Sequence, residues 1–263
     1  MRIAVIGGGP GGLYFSYLWK KRHPDARIDL FEQSPAGATW GFGVVFSEQA
    51  LEFLRADDPD TVDAIAARME SWHNITLNLR GESVEIDGVG FSSIGRLELL
   101  DILQRRASSV GITPRYDTLV QSVDRLTGYD LIVAADGLNS LVRRSFEGDF
   151  GTSLSYSANK FAWYGTTKRF ETLSQTFVRT DLGAFNAHHY RYSPAMSTFL
   201  VECDLATWQR YGFAETRRLM NRRPFASASS GPRSTAIRCC RTSRCGAIFR
   251  GSGTSTGRSG IWC

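Results

Sequence analysis

Three glycines near the start of the chain, Gly7, Gly9 and Gly12, stand in the spacing G-x-G-x-x-G, with Pro10 and Gly11 between the last two. The chemistry of a phosphate-binding turn demands glycine at each place. The first makes the turn, the second lets the backbone approach a pyrophosphate, and the third lets helix and strand pack closely. An acid, Glu32, follows at the distance where such turns place a ribose contact, and Gln33 stands beside it. A carboxylate there can accept hydrogen bonds from both hydroxyls of an adenosine ribose, and it would repel a 2′-phosphate. A second candidate pair is Asp136-Gly137 in "LIVAADGLNSLVRRSF". Asp136 would stand at the carboxyl end of a strand, where ligands of parallel sheets bind, but Asp-Gly is also a common turn. The glycines and Glu32 specify a dinucleotide site and leave NAD and FAD both open.

The elements that must position these residues are legible around them. Ile3, Ala4, Val5 and Ile6 form a short apolar run suited to a central parallel strand. A helix is expected from about Pro10 to Lys21, with its free N–H groups and positive dipole end aimed at the phosphates. "RIDLFEQ" supplies the next strand, ending in Glu32. Leu131 to Ala134 read as a further apolar strand, and Ser140 can cap a short helix carrying Val142, Arg143 and Arg144. Farther on, "NKFAWYGTTKRFETLSQTFV", "GAFNAHHYRYS" and "MSTFLVECDLATW" alternate as strands of an antiparallel sheet.

Composition excludes several other classes. The 263 residues suit one large domain or two small ones. The formal charge of +5 is uneven, because ten arginines and no acid lie from Thr216 onward, leaving residues 1–215 at −5. The body is acidic, which argues against nucleic-acid binding. Cys203 is the body's one cysteine, and Cys239, Cys240, Cys245 and Cys263 match no paired zinc spacing, so neither a disulfide framework nor a metal site is expected. A cytoplasmic location follows from that cysteine usage. Glycines interrupt the first apolar run, which argues against a signal peptide, and no stretch approaches the ~20 apolar residues of a membrane span.

Taken together, Gly7-x-Gly9-x-x-Gly12, Glu32, "GRLELLDIL" and "AADGLNSLVRR" resemble the signature set of the FAD-dependent aromatic hydroxylases, the single-component flavoprotein monooxygenases. The resemblance implies an α/β fold: a Rossmann-like FAD-binding domain with a parallel sheet at 1–150, then an antiparallel substrate sheet at 151–215. It places Asp136-Gly137 beside the FAD pyrophosphate, where the motif also serves the nicotinamide, and brings Arg96 to the flavin phosphates or ribityl chain. Gly41 and Gly43 in "GFGVVFSEQALEFL" would let the chain pass the isoalloxazine ring. More narrowly, the opening segment and "STFLVECDLATW" are similar to the aryl-coenzyme A hydroxylases, which act on salicylyl-CoA or 2-aminobenzoyl-CoA. The implied reaction consumes NADH or NADPH and O₂, inserts one oxygen atom into an aromatic acyl-CoA and needs no metal.

Residues of the sheet offer further candidates without settling on one. His188 and His189 are adjacent on a strand, so they point to opposite faces and at most one can see the flavin. Tyr190, Tyr192, Phe185 and Trp163 could line an aromatic pocket or simply build core, and Arg191 could meet a CoA phosphate or solvent.

Beyond about residue 215 the sequence departs from the family. The Gly-Asp fingerprint expected there is missing, and "FAETRRLMNRRPFASASSGPRSTAIRCC" loses periodicity and acids at once. Residues 216–263 read as an out-of-frame basic tail with a break near 216–221. On that reading the C-terminal part is incomplete, FAD binding is weak or absent, and the chain does not turn over. An FAD oxidoreductase that inserts no oxygen, and a non-enzymatic fragment whose basic tail meets acidic partners, are the competing readings.

Overall fold

The computed structural model of the chain describes residues 1–39, 41–88 and 90–213; the 216–263 tail lies outside them. In chain order the elements are β1 (Arg2–Ile6), α1 (Pro10–Arg22), β2 (Arg27–Phe31), β3 (Gly43–Ser47), α2 (Glu48–Asp57), α3 (Pro59–Ala66), β4 (Glu70–Trp72), β5 (Ile75–Leu79), β6 (Glu82–Ile86) and β7 (Phe91–Gly95). They continue with α4 (Arg96–Ser109), β8 (Leu131–Ala134), α5 (Leu141–Ser145), α6 (Glu147–Phe150), β9 (Lys160–Thr166), β10 (Leu173–Thr180), β11 (Gly183–Arg191), β12 (Ser197–Cys203) and α7 (Leu205–Arg210). Among the described residues no helix is long and apolar enough to cross a membrane.

The chain divides into two compact units, the first made of 1–39, 53–68 and 96–156. Its sheet has the order β2-β1-β8 with both pairs parallel. Ile3 to Ile6 are buried because β1 lies in the middle of that sheet, as its unbroken apolar run requires. The expected helix after the glycine turn is α1, one residue longer than its sequence limits, with Lys20, Lys21 and Arg22 complementing the dipole in its last turn. Helix α4 packs on α1, and α3 packs on α4. The expected strand at 131–134 is β8, and the Ser140 hydroxyl accepts from Arg143 N–H at 3.0 Å, capping α5 as its sequence suggests.

The described part of the second unit falls within 41–52, 69–95 and 157–213. Its main sheet has six strands in the order β6-β5-β10-β11-β12-β9. Chain order alone places 75–86 in the first domain and predicts a wholly antiparallel sheet. In the structure β5 and β6 join the sheet, and β5 pairs with β10 in parallel, so the sheet is mixed. Residues 75–79 meet 173–177 through pairing without a local turn to announce it. A smaller antiparallel sheet, β3-β7-β4, completes the unit.

One face of the large sheet carries the core. Phe185 and Cys203 cluster with Trp208 and Phe213, and Asp204 caps α7 by accepting from Thr207 N–H at 2.6 Å. Phe185 is therefore core rather than pocket lining. The two histidines point to opposite faces, His188 opposite Gln175 and His189 opposite Ser174. His189 is 6% exposed, bonds Thr176 Oγ1 through Nε2 at 2.9 Å, and packs against the rings of Phe170 and Phe199. Burial, with Lys168 and His188 adding to it, lowers its pKa to about 4.

That shift has a defined sign. The folded chain favours neutral His189, so its contribution to stability is complete above the ordinary pKa of about 6.5 and is lost as pH falls toward 4, in total about 3 kcal/mol. Urea unfolding between pH 7.5 and 4.5 is expected to show this acid limb, flattened in His189→Gln; an unchanged limb would contradict it.

Arg191 corrects its expectation. Its side chain is only 11% exposed, donates from Nε to Glu70 Oε2 at 2.5 Å, and donates from Nη1 to the carbonyls of Phe170 and Glu171. It is a buried clamp of the second unit, neither solvated nor offered to a CoA phosphate.

Candidate functional site

The carboxyl edge of the parallel sheet brings the two sequence motifs into contact. Gly7 N–H donates to Phe31 O and Ala135 N–H donates to Ile6 O, each at 2.8 Å, so the glycine turn sits between the ends of β2 and β8. Gly7 has φ +105°, and a Cβ there would overlap the Ala135 carbonyl. A Cβ on Gly12 would overlap the Gly7 carbonyl oxygen, which is the close helix–strand packing that the third glycine exists to allow. Gly9 and Gly11 differ: a Cβ on either would meet nothing within 4 Å. Their backbone faces open space. Gly9 is the N-cap of α1 and offers no side-chain cap, Pro10 starts the helix, and no acid lies in the first turn. The first N–H groups of α1 are thus left for an anion.

Glu32 is held at both oxygens, Oε2 accepting from Gly8 N–H and Oε1 from Ser34 N–H, each at 2.7 Å. Two backbone donors fix the carboxylate plane, and its remaining lone pairs can take ligand hydroxyls. Gln33 follows, exposed. Asp136 uses Oδ2 to accept from Leu141 N–H at 2.6 Å, while its Oδ1 is buried with no partner among the described residues. A desolvated carboxylate oxygen without a donor is costly, and a ligand hydroxyl would satisfy it. Gly137 has φ +73° and opens toward solvent.

A cleft of about 370 Å³ lies here, lined among others by Gly11, Ala135, Asp136, Gly137, Arg143 and Phe150. Phe150 is a lining residue with no signal in the sequence, and Arg143, expected only as part of a capped helix, lines the cleft as well. Arg143 had a signal, since Ser140 caps the turn that carries it into the cleft, where its guanidinium donates to the Leu138 carbonyl. The apolar rim is bare: Leu138 is 58% and Phe150 60% exposed, and no residue of β8 is fully buried.

The structure therefore gathers Gly7, Gly9, Pro10, Gly11, Gly12, Glu32, Asp136 and Gly137 at one edge. Arg96, the first residue of α4, is half-buried and belongs to the same unit. Gly41 and Gly43 fall in the second unit, where Gly41 has φ +93° and a Cβ on Gly43 would press on Tyr192. Tyr190 O–H donates to the Gly43 carbonyl at 3.2 Å, and Trp163 meets Phe42 edge to face.

An open backbone cradle, a fixed ribose-type carboxylate and an orphaned Asp136 oxygen fit FAD. No family model matches the chain. It is 40% identical over 214 residues to a salicyloyl-CoA 5-hydroxylase from a Streptomyces species, across 81% of this chain and 41% of that protein. It is 33% identical over 230 residues to a 3-hydroxy-4-methyl-anthranilyl-[aryl-carrier protein] 5-monooxygenase from Streptosporangium sibiricum, across 84% and 64%. The fold matches a tetrameric 2-methyl-3-hydroxypyridine-5-carboxylic acid oxygenase with a TM-score of 0.64 at 19% identity, covering 78% of this chain and 59% of that one. The chain thus spans between two fifths and two thirds of the length of these proteins.

Fold and site together define a flavin-type dinucleotide-binding protein with a separate mixed-sheet unit. In sequence and fold the chain is similar to the FAD-dependent aromatic hydroxylases, the single-component flavoprotein monooxygenases.

Proposed function

We propose that this chain is the flavin-binding and substrate-sheet portion of a hydroxylase that acts on an aromatic acyl-coenzyme A, with FAD as cofactor and NADH or NADPH as reductant. The single observation that carries the flavin site is the convergence of the glycine turn, Glu32 and Asp136 at one sheet edge. Support for the substrate is the 40% identity to a salicyloyl-CoA 5-hydroxylase, and a second relative's name puts its anthranilyl group on an aryl-carrier protein.

In this reading the N–H groups of Gly9, Pro10's turn partner Gly11 and Gly12 receive the pyrophosphate, Glu32 orients the adenosine ribose, and Gln33 flanks it. Asp136 Oδ1 accepts from a hydroxyl of the ribityl chain, Gly137 gives that chain room, and Arg96 donates to the same chain beyond the pyrophosphate. Bound FAD supplies the redox chemistry that activates O₂. The overall balance is one aromatic C–H converted to C–OH, one NAD(P)H oxidised, and the second oxygen atom leaving as water. The bare rim at Leu138 and Phe150 supports a further reading, that the described residues alone hold the cofactor weakly.

The experiment is to saturate the purified chain with FAD and follow NADH oxidation with and without salicylyl-CoA or 2-aminobenzoyl-CoA, with product analysis. No acyl-CoA-stimulated oxidation is expected from the chain itself. A fusion that adds the segment of a relative beyond the matched residues is expected to yield hydroxylated acyl-CoA. An extended chain that releases only peroxide with every acyl-CoA would favour an FAD oxidoreductase without oxygen insertion.

A further inference from the structure

We propose that Arg106, which touches no part of the dinucleotide site, is a positioning residue that sets how far Arg96 stands ahead of the glycine turn; the inference rests on the flavin-site reading above. Arg106 lies on α4, and its side chain joins three elements. Its Nε donates to Thr61 Oγ1 on α3 at 2.8 Å. Its Nη2 donates to the Tyr17 hydroxyl on α1 and to Asp58 Oδ1 at 3.2 Å, and the guanidinium lies 4.7 Å from the Tyr17 ring centre. Asp58 is fully buried at the start of α3 and also pairs with Lys21 of α1 at 3.5 Å.

Such a network is a poor source of stability, because desolvating Asp58 offsets much of the attraction. Its physical use is register: a fully buried carboxylate whose partners sit on two other helices penalises alignments that would strip it of them. The planar fork of arginine serves four acceptors at once, Thr61, Tyr17, Asp58 and, at 3.5 Å, Asp60, which a lysine ammonium on the same stem does not reproduce.

The direction of the two helices gives this register a consequence. Helix α1 joins the parallel strands β1 and β2, so it runs against the sheet. After α4 the chain turns and runs beside β2, where Arg115 bridges Phe31 in parallel, so α4 runs against the sheet too. Both helices therefore start at the carboxyl edge. Counting from their first residues, Pro10 and Arg96, the clasp falls seven residues into α1 at Tyr17 and ten into α4 at Arg106. The clasp thus fixes the register of α4 on α1, and with it the level of Arg96 at the head of α4. Slipping α4 by one turn would displace Arg96 by about 5 Å.

The test compares two probes on the whole chain by calorimetric titration: ADP, which needs only the turn and Glu32, and FAD, which also reaches Arg96. Arg106→Met is expected to melt at a lower temperature, to keep ADP affinity within about twofold, and to lose about tenfold in FAD affinity, the size of one charge-assisted contact. Arg96→Ala should show the same FAD loss, and the double variant no further loss, since both remove one contact. Should Arg106→Met not fold, Arg106→Lys, which keeps the charge opposite Asp58, carries the same comparison. An unchanged FAD-to-ADP ratio, equal loss of both probes, or additive losses in the double variant would overturn the proposal while leaving the flavin reading in place. A native chain that bound neither probe would instead overturn the flavin reading itself.

Discussion

Gly12→Ala is expected to abolish binding of FAD and ADP alike and to lower the stability of the first unit by about 3 kcal/mol, the upper range for overpacking a tight site. The methyl group would overlap the Gly7 carbonyl oxygen, which is backbone and has no rotamer in which to retreat. Relief requires α1 to move away from β1. That shift would carry the N–H groups of the first turn away from the phosphates and loosen the Gly8 N–H to Glu32 bond at the same time. Gly11→Ala is the matched control for size, since its Cβ meets nothing within 4 Å. It should fold normally, and any loss of affinity should come from crowding the ligand. Circular dichroism melts with titration of each probe separate the two effects; a Gly12→Ala chain that binds ADP normally would contradict the packing account.

The contrast between these glycines explains why the dinucleotide turn was legible in the sequence. Each residue there answers to a local steric demand, and the strand, turn and helix that frame it are contiguous. Ser140 was legible for the same reason, because a cap acts within three residues. The opposite faces of His188 and His189 followed from the period of a strand. Legibility ended where partners are distant. Nothing near Ile75–Leu79 announces that it will lie parallel to Leu173–Phe177. Arg191 and Arg106 sit among charged and polar neighbours that read as solvated surface, and only the fold shows the acids that bury them.

Asp136→Ala is the second variant with a large expected effect, and its signature is a split between probes. Removing the carboxylate takes away the Leu141 cap, worth about 1 kcal/mol of local stability. It also removes the buried Oδ1, which has no partner among the described residues. Phosphate oxygens cannot satisfy that acceptor; a hydroxyl can. FAD affinity should therefore fall by about 10- to 100-fold, the range of a hydrogen bond to a charged group, while ADP affinity falls much less. Asp136→Asn retains one acceptor oxygen and should lie between. Equal losses for ADP and FAD would place Asp136 with the adenosine half and overturn its assignment to the ribityl chain.

The central claim, that the sheet edge formed by Gly7–Gly12, Glu32 and Asp136 is an FAD site, is most directly tested by titrating FAD into the purified chain and following its fluorescence. Saturable quenching is predicted at one FAD per chain, with a dissociation constant of about 10–100 µM, which corresponds to roughly 5.5–7 kcal/mol of binding. ADP should compete for the site, and Gly12→Ala should eliminate the signal. A chain that quenches FAD without saturation, or whose binding ADP does not displace, would contradict the claim.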